Sequence, residues 1–114
     1  MAPAVGIDLV EIERVERALE RRPRLADRLF TSAELAYARE RARPGRHLAA
    51  RFAAKEAVIK ALGQGVPLKE IEVVSGEPPT LRLHGRAASV AGDAEIAISL
   101  THSRDSAAAV AIAA

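Results

Sequence analysis

Two carboxylates and a lysine are the residues of this sequence best suited to binding a metal ion together with a phosphate. Asp8 lies in the apolar stretch 5–10, which predicts a short strand ending near Asp8 or just beyond it. Glu56 and Lys60 are one helical turn apart in the segment 51–63. If the strand end and the helix meet, Asp8 and Glu56 supply oxygen ligands to one hard cation such as Mg²⁺, which also takes water and substrate phosphates. Lys60 then stabilises charge on a phosphoryl group, so all three are candidate catalytic residues.

Each of these residues also has an ordinary structural role open to it. Asp8 could cap the helix that follows the strand, and Glu56 could form an i,i+4 pair with Lys60 worth about 0.3 to 0.5 kcal/mol. Taken one at a time, the residues favour these structural roles. The metal-site interpretation therefore depends on the two carboxylates meeting in the fold.

The predicted helix also carries two basic residues, Arg51 and Lys55, on its apolar side. Like charges four residues apart are unfavourable by about 0.2 to 0.5 kcal/mol in an isolated helix, unless an anion lies between them. The pair therefore predicts a phosphate-rich ligand. The alternative is that both aliphatic stems lie along the core while the charged groups reach water. The large apolar residues on the same side are Leu48, Phe52, Ile59 and Leu62.

His102 is the histidine with the most polar surroundings, in the predicted turn 101–106. A nucleophilic arrangement with Ser103 and Asp105 has little support, because no strand-turn-helix elbow surrounds these residues. Donation to a phosphate is the better functional interpretation of His102, and an exposed turn histidine is the structural alternative. The other two histidines have no metal-ligating neighbours in the sequence: His47 and His84.

Size and composition narrow the class of protein. A chain of 114 residues, 49% hydrophobic but only 3% aromatic, is predicted to form one domain over 1–114 whose core is too shallow for a deep pocket, so a large ligand would lie in a groove or between subunits. The lack of cysteine excludes disulfides and thiolate zinc sites. Because there is neither an apolar run of about 18 residues nor a leader pattern, we expect a cytoplasmic protein without a membrane span. The net charge of +2, with arginine as the main basic residue, suits phosphate and carboxylate partners.

The elements that must hold these side chains are predicted from periodicity and from their end signals. The signature Thr31-x-x-Glu34 predicts a capped helix start, and Gly63 predicts the end of the long helix. Helical segments are predicted at 11–22, 25–30, 31–41, 46–62 and 85–91. Strands are predicted at 5–10, 71–74, 80–83, 95–100 and 107–112, the last two as an antiparallel hairpin. This pattern indicates an α+β fold, with helices packed on a small, mostly antiparallel sheet.

Four segments in this order and spacing carry a family resemblance. They are GIDLVEIER at 6–14, RLFTxxExxY at 28–37, RFAAKEAxxKALG at 51–63 and SLTHS at 99–103. Together they span nearly the whole chain and are similar to the holo-[acyl-carrier-protein] synthase family, the small stand-alone 4′-phosphopantetheinyl transferases. The first and third segments in combination are far more specific than either alone.

The resemblance implies Mg²⁺-dependent transfer of 4′-phosphopantetheine from coenzyme A to a serine of an apo acyl carrier protein, with release of adenosine 3′,5′-bisphosphate. It places Asp8 and Glu56 at the metal-binding positions, Lys60 against the pyrophosphate and His102 in the coenzyme A site. With the basic helix residues and the helix end added, the predicted coenzyme A contacts are Arg51, Lys55, Lys60, Gly63 and His102.

The resemblance also implies partners. Family members form trimers whose sites lie at subunit boundaries, and their first helix meets an acidic helix of the carrier protein. The residues placed for that contact here are Arg14, Arg21, Arg22 and Arg24. Two other classes stay open: a basic nucleic-acid-binding module, which the scarcity of aromatic residues disfavours, and a non-catalytic oligomeric scaffold. We therefore expect no nucleic-acid partner.

Overall fold

Five α-helices and five strands make up the computed structural model, which describes residues 2–114. The N-terminal half is β1 (Ala4–Glu11), α1 (Ile12–Arg21), α2 (Leu25–Leu29), α3 (Ser32–Arg39) and α4 (Pro44–Leu62). A single 3₁₀ turn (Leu68–Glu70) then leads to β2 (Ile71–Val74), β3 (Thr80–Leu83), α5 (Gly85–Ala91), β4 (Ile96–His102) and β5 (Ser106–Ala113). The predicted α+β class is confirmed.

The strands form two antiparallel sheets, one of three strands in the order β1-β5-β4 and one made of β2 and β3. The predicted hairpin of the last two strands is confirmed, with Ile98 opposite Ala111. Alternate residues of β5 are buried, as the period of two in a strand requires. These small buried side chains are Ala107, Ala109, Ala111 and Ala113.

Several boundaries differ from the sequence prediction by a few residues, and two of these differences concern candidate site residues. Strand β1 continues past Asp8 to Glu11, because β5 keeps pairing with it as far as the Glu11–Ser106 pair. Asp8 therefore lies within the strand, opposite Ala109, and not at its end. His102 is the last residue of β4, where it pairs with Ala107, and does not belong to the turn.

Helix α4 is the central element and contacts the three-stranded sheet along its length. Its predicted end is confirmed: Gly63 follows the last helical residue in the left-handed conformation, with φ of 71°. Alanines line most of the buried side, so the helix backbone can approach the sheet closely. At Gly6 of β1, an added Cβ would lie 1.9 Å from the carbonyl oxygen of Ala57, so only glycine allows this approach.

The core lies where α4 packs against both sheets. It joins Val58 of the helix to Ile71 and Val73 of β2, and to Ile98 of β4. A second cluster under α1 and α3 contains the fully buried Phe30. Among residues 2–114, no helix has both the length and the hydrophobicity that crossing a bilayer requires.

Candidate active site

Strand β1 and helix α4 bring Asp8 and Lys60 together. The Lys60 ammonium donates to Asp8 Oδ1 at 3.1 Å and to the main-chain oxygen of Ile7 at 2.8 Å. Gly6 and Asp8 are two residues apart on a strand, so both lie on the side of β1 that faces helix α4. The close packing at Gly6 thus sets the position of the Asp8 carboxylate against α4.

Glu56 lies beside this pair, one turn before Lys60 on the same helix. Partial burial raises the pKa of Glu56, and the negative charge of Asp8 raises it further, while Lys60 acts in the opposite direction. The two carboxylates are thus close enough to repel each other. A divalent cation relieves such repulsion, and two carboxylate groups are a donor set that Mg²⁺ commonly takes. No cluster of three or more metal-ligating side chains occurs in the described part of the chain, so any ion here would take the rest of its ligands from elsewhere.

The two structural alternatives for these residues are wrong. The residue that precedes α1 is Glu11, and it makes no side-chain capping bond, so Asp8 does not cap this helix. Lys60 pairs with Asp8 across the junction of helix and strand, and its ion pair does not involve Glu56. The reason lies in the tertiary structure, because β1 passes within reach of the lysine. Helix spacing alone does not predict this approach.

A second group of residues forms a basic surface at the other end of α4. Arg51 is only 6% exposed, and its Nη2 donates to the Ser75 hydroxyl at 3.2 Å. Its guanidinium carbon lies 4.0 Å from the ring centroid of Tyr37, and that of Arg41 lies 3.5 Å from the same centroid. Burial lowers the pKa of Arg51, and no carboxylate within residues 2–114 forms an ion pair with it.

Two buried guanidinium nitrogens near this surface have no partner among the described residues, the Nε atoms of Arg46 and Arg51. Buried donors are normally hydrogen-bonded, and an unmade bond costs about 1 to 3 kcal/mol. An anion bound here would supply acceptors for donors of this kind. The arrangement therefore offers donors of the kind that an anion site requires.

Aromatic rings extend the basic surface to β4. The His47 ring lies edge-on to Tyr37, with centroids 5.9 Å apart and planes at 79°, and to His102, with centroids 6.1 Å apart and planes at 76°. Burial lowers the pKa of His47, and the positive charges around it lower it further. We call these residues the basic–aromatic cluster: Tyr37, Arg41, His47, Arg51 and His102.

Only part of this cluster was predicted from the sequence. Arg51 and His102 were candidate binding residues, whereas Tyr37, Arg41 and His47 had no predicted role. A signal for His47 was available, because it precedes Arg51 by four residues and therefore shares its side of α4. The ring contacts themselves join three separate elements and have no local signature.

Lys55 has a different environment from the one predicted. Its side chain is fully buried, and its ammonium donates to Glu34 Oε1 at 2.8 Å and to the Leu68 carbonyl at 3.0 Å. Burial is the main cause that lowers the pKa of Lys55. The charge neither reaches water nor shares an anion with Arg51, because α3 supplies Glu34 as its partner. Both sequence interpretations of this lysine are wrong.

Glu34 connects the lysine to the rest of the structure. Its carboxylate accepts from the backbone nitrogens of Thr31 and Val73, each at 2.9 Å. The predicted capping box is confirmed, since Thr31 Oγ1 also accepts from the Glu34 nitrogen. Two of the sequence segments that carried the family resemblance therefore meet in one buried ion pair.

The Ser103–His102–Asp105 arrangement does not form. The Ser103 hydroxyl bonds with the backbone of Ser106 across the turn, donating to the oxygen at 3.5 Å and accepting from the nitrogen at 3.4 Å. The hydroxyl is thus used within the turn. The interpretation of these residues as a nucleophilic triad is wrong.

Helix α1 and the segment after it present a basic surface next to an apolar groove. Arg14, Arg21, Arg22 and Arg24 are all exposed. Arg14 also borders a groove of about 560 Å³ whose apolar wall comes from three helices and the end of β1. The main apolar residues of this wall are Leu9, Val15, Leu19, Leu25, Leu29 and Phe52.

Known proteins share the sequence segments that form this site. The family model of the 4′-phosphopantetheinyl transferase superfamily matches residues 4–112. This chain belongs to that superfamily. Within it, the chain is 51% identical to a holo-[acyl-carrier-protein] synthase of Moorella thermoacetica, over 94% of this chain and 90% of the relative. The resemblance found in the sequence is confirmed.

Solved structures of holo-[acyl-carrier-protein] synthases share the fold. The acyl carrier protein synthase of Mycobacterium tuberculosis superposes with a TM-score of 0.84 at 39% identity, covering 100% of this chain and 98% of that one. The enzyme of Chronobacterium ammoniagenes in complex with coenzyme A gives a TM-score of 0.87 at 34% identity, covering 99% and 97%. The superfamily fold therefore extends over the whole described chain.

Proposed function

We propose that this chain transfers 4′-phosphopantetheine from coenzyme A to a serine of an apo acyl carrier protein, giving holo carrier protein and adenosine 3′,5′-bisphosphate. The observation that carries the proposal is the junction of β1 and α4, where Asp8, Glu56 and Lys60 converge. All three belong to segments typical of the family. Relatives of this chain are holo-[acyl-carrier-protein] synthases, a name that describes the same activity.

Asp8 and Glu56 are the residues proposed to hold Mg²⁺. When bound, the ion would offset negative charge on the pyrophosphate of coenzyme A. Lys60, already within 3.1 Å of Asp8 Oδ1, would contribute its positive charge to a non-bridging phosphate oxygen. Gly63, which ends α4 and leaves open space at its Cβ position, is the proposed backbone contact next to this lysine.

The proposed chemistry is an in-line displacement. The carrier serine oxygen bonds to the β-phosphorus, and the bond from that phosphorus to the bridging oxygen breaks, so adenosine 3′,5′-bisphosphate leaves. The serine proton passes to a base, and Glu56 is the candidate carboxylate for that role. Water is the alternative acceptor.

The basic–aromatic cluster is proposed to bind the 3′-phosphate of the donor. Coenzyme A carries a 3′-phosphate apart from its pyrophosphate, and a separate anion site suits it. The buried guanidinium of Arg51, the unpartnered Nε atoms and the exposed ring of His102 support this assignment. Lys55 has no part in it, because its charge is already paired with Glu34.

A homotrimer with sites at subunit boundaries is proposed for the assembly. Strand β1 is an edge strand, and its outer side chains Val5, Ile7 and Leu9 are 59%, 66% and 70% exposed. Ile112, the register partner of Val5, is 42% exposed and extends the same stripe. An exposed apolar stripe on an edge strand usually marks a protein contact. Light scattering after size-exclusion chromatography tests this, and a monomeric protein at micromolar concentration would refute the trimer.

The proposed carrier contact is the surface of Arg14, Arg21, Arg22 and Arg24 with the adjoining apolar groove. An acidic amphipathic helix would place its charges on the arginines and its apolar side in the groove.

The proposed location of the protein is the cytoplasm, and cell fractionation would test this proposal.

Mass spectrometry gives the decisive test of the transferase. The protein is incubated with apo carrier protein, coenzyme A and Mg²⁺, and the carrier is examined for the added phosphopantetheine. We expect one group per carrier, and none with a carrier whose acceptor serine is replaced by alanine. No addition to several carriers by a folded protein would overturn the proposed function. A mobility shift with DNA or RNA would then favour the nucleic-acid-binding alternative.

A further inference from the structure

His47 lies between two side chains that come from different elements. Its ring contacts Tyr37 of α3 on one side and His102 of β4 on the other, both edge-on. Edge-to-face contacts are a favourable arrangement of aromatic rings. His47 is therefore the link in this contact that fixes the His102 ring relative to α3 and α4.

The charged groups that face His47 are all positive or can become positive. Arg46 and Arg51 act from its own helix, Arg41 from the segment after α3, and His102 from β4. Burial is the main cause that lowers the pKa of His47, and these charges lower it further, which favours the neutral imidazole in the absence of an anion. A neutral ring avoids adding one more positive charge to a surface that already carries three arginines.

A bound phosphate reverses this balance. A phosphate monoester carries close to two negative charges near neutral pH, and its charge would favour the protonated form of a nearby imidazole. Protonated His47 would then have two donors, one more than the neutral ring. Binding of the anion and protonation of the ring are in that case linked processes, and each strengthens the other.

We propose that His47 is a positioning residue for the 3′-phosphate of coenzyme A, holding the His102 ring in place and taking up a proton from solvent when the phosphate binds. The inference rests on the proposed function, since it takes coenzyme A as the ligand of the basic–aromatic cluster. It adds a residue and a proton to that function. It also predicts that affinity for coenzyme A depends on pH through His47.

Isothermal titration calorimetry can separate these effects. Coenzyme A and dephospho-coenzyme A, which lacks the 3′-phosphate, are titrated at pH 6 and pH 8 in two buffers with different ionisation enthalpies, at one fixed Mg²⁺ concentration. The variants are His47→Phe, which keeps an aromatic edge without a titrating group, and His84→Gln, which removes a histidine outside the basic–aromatic cluster that bonds Glu72. His47→Gln replaces His47→Phe if the latter does not fold by circular dichroism.

For the wild type we expect more protons taken up with coenzyme A than with dephospho-coenzyme A. His47→Phe should remove the part of this uptake that the phosphate itself does not cause. It should also weaken coenzyme A binding by a few-fold more at pH 6 than at pH 8, because linked protonation of His47 strengthens binding only at the lower pH. His84→Gln should match the wild type.

Two results would contradict the inference in distinguishable ways. Suppose that the wild type binds coenzyme A, and that His47→Phe matches the wild type in proton uptake and in the ratio of its affinities at pH 6 and pH 8. His47 then has no such role, while the proposed function stands. An equal loss of affinity for both ligands would likewise overturn it, because the phosphate would not be involved. If the wild type binds neither ligand, the proposed function fails together with the inference.

Discussion

Lys60 on α4 bonds Asp8 on β1, with 3.1 Å between Nζ and Oδ1. The lysine side chain is 54% exposed and that of the aspartate 17%. A pair this accessible contributes little to folding, about 0 to 1 kcal/mol at most. The carboxylate of Asp8 can therefore be replaced without unfolding the protein, which makes its chemical role testable.

Loss of either proposed metal ligand should abolish activity and leave the fold intact. For Asp8→Asn and Glu56→Gln we expect transfer rates at least about 100-fold lower, the size of effect seen when one group that stabilises the transition state is removed. Melting temperatures should stay close to that of the wild type. The rate is measured by mass spectrometry of the carrier, with the exposed Glu20→Gln as control. Full activity in either variant would exclude that residue from the site.

Gly6→Ala should separate strand β1 from helix α4. An added Cβ would lie 1.9 Å from the Ala57 carbonyl oxygen, and overpacking of this kind costs about 1 to 3 kcal/mol. Activity should fall as well, because Asp8 would move away from Glu56. Gly65→Ala is the matched control, since nothing lies within 4 Å of its Cβ position. Urea unfolding and the transfer assay measure both effects, and equal stability of the two variants would contradict the packing argument.

Lys55→Met should destabilise the protein strongly. It leaves the Glu34 carboxylate buried without its cation, and breaking a buried pair from one side costs about 3 to 5 kcal/mol. The double variant Lys55→Met with Glu34→Gln should recover part of this loss. Urea unfolding of the single and double variants provides the measurement, and the exposed Lys69→Met should change stability by less than about 0.5 kcal/mol. A Lys55→Met protein as stable as the control would refute the buried pair.

Acid should destabilise the wild type partly through Glu72. The His84 ring, 2.9 Å from its Oε1, is the main cause that holds the pKa of Glu72 below its usual value of 4.5, with Thr31 and Arg82 adding to it. A carboxyl with a depressed pKa stabilises the fold above its unfolded pKa, and this contribution is lost as pH falls through the folded pKa. Between pH 4.5 and more acid conditions, the free energy of unfolding should therefore fall more steeply for the wild type than for Glu72→Gln. Parallel acid profiles in urea would disprove this.

Arg14→Glu should impair use of the carrier protein and spare coenzyme A. Reversing an exposed charge at a docking surface acts mainly on the association rate and its salt dependence. We expect a several-fold higher KM for the carrier, a weaker effect of salt and an unchanged KM for coenzyme A. Arg86→Glu on α5 is the control. Steady-state kinetics at two salt concentrations measure both KM values and their salt dependence. An unchanged KM for the carrier would place the docking surface elsewhere.

Local patterns in the sequence were enough for the elements and for the family. The Thr31–Glu34 capping box and the Gly63 stop are each decided by neighbouring residues, so they are readable without the fold. The candidate residues Asp8, Glu56 and Lys60 could also be identified, because residue type and helical spacing restrict the chemistry they can perform.

Only the tertiary structure decided which partner each charge takes. Lys60 pairs with Asp8 and Lys55 with Glu34, although helix spacing offered Glu56 to the first and water or an anion to the second. The edge-to-face contacts of His47 are of the same kind. Periodicity describes the sides of one helix, whereas the partner of a charge depends on how closely distant segments approach. That distance is set here by backbone contacts, such as Gly6 against Ala57, which no local pattern records.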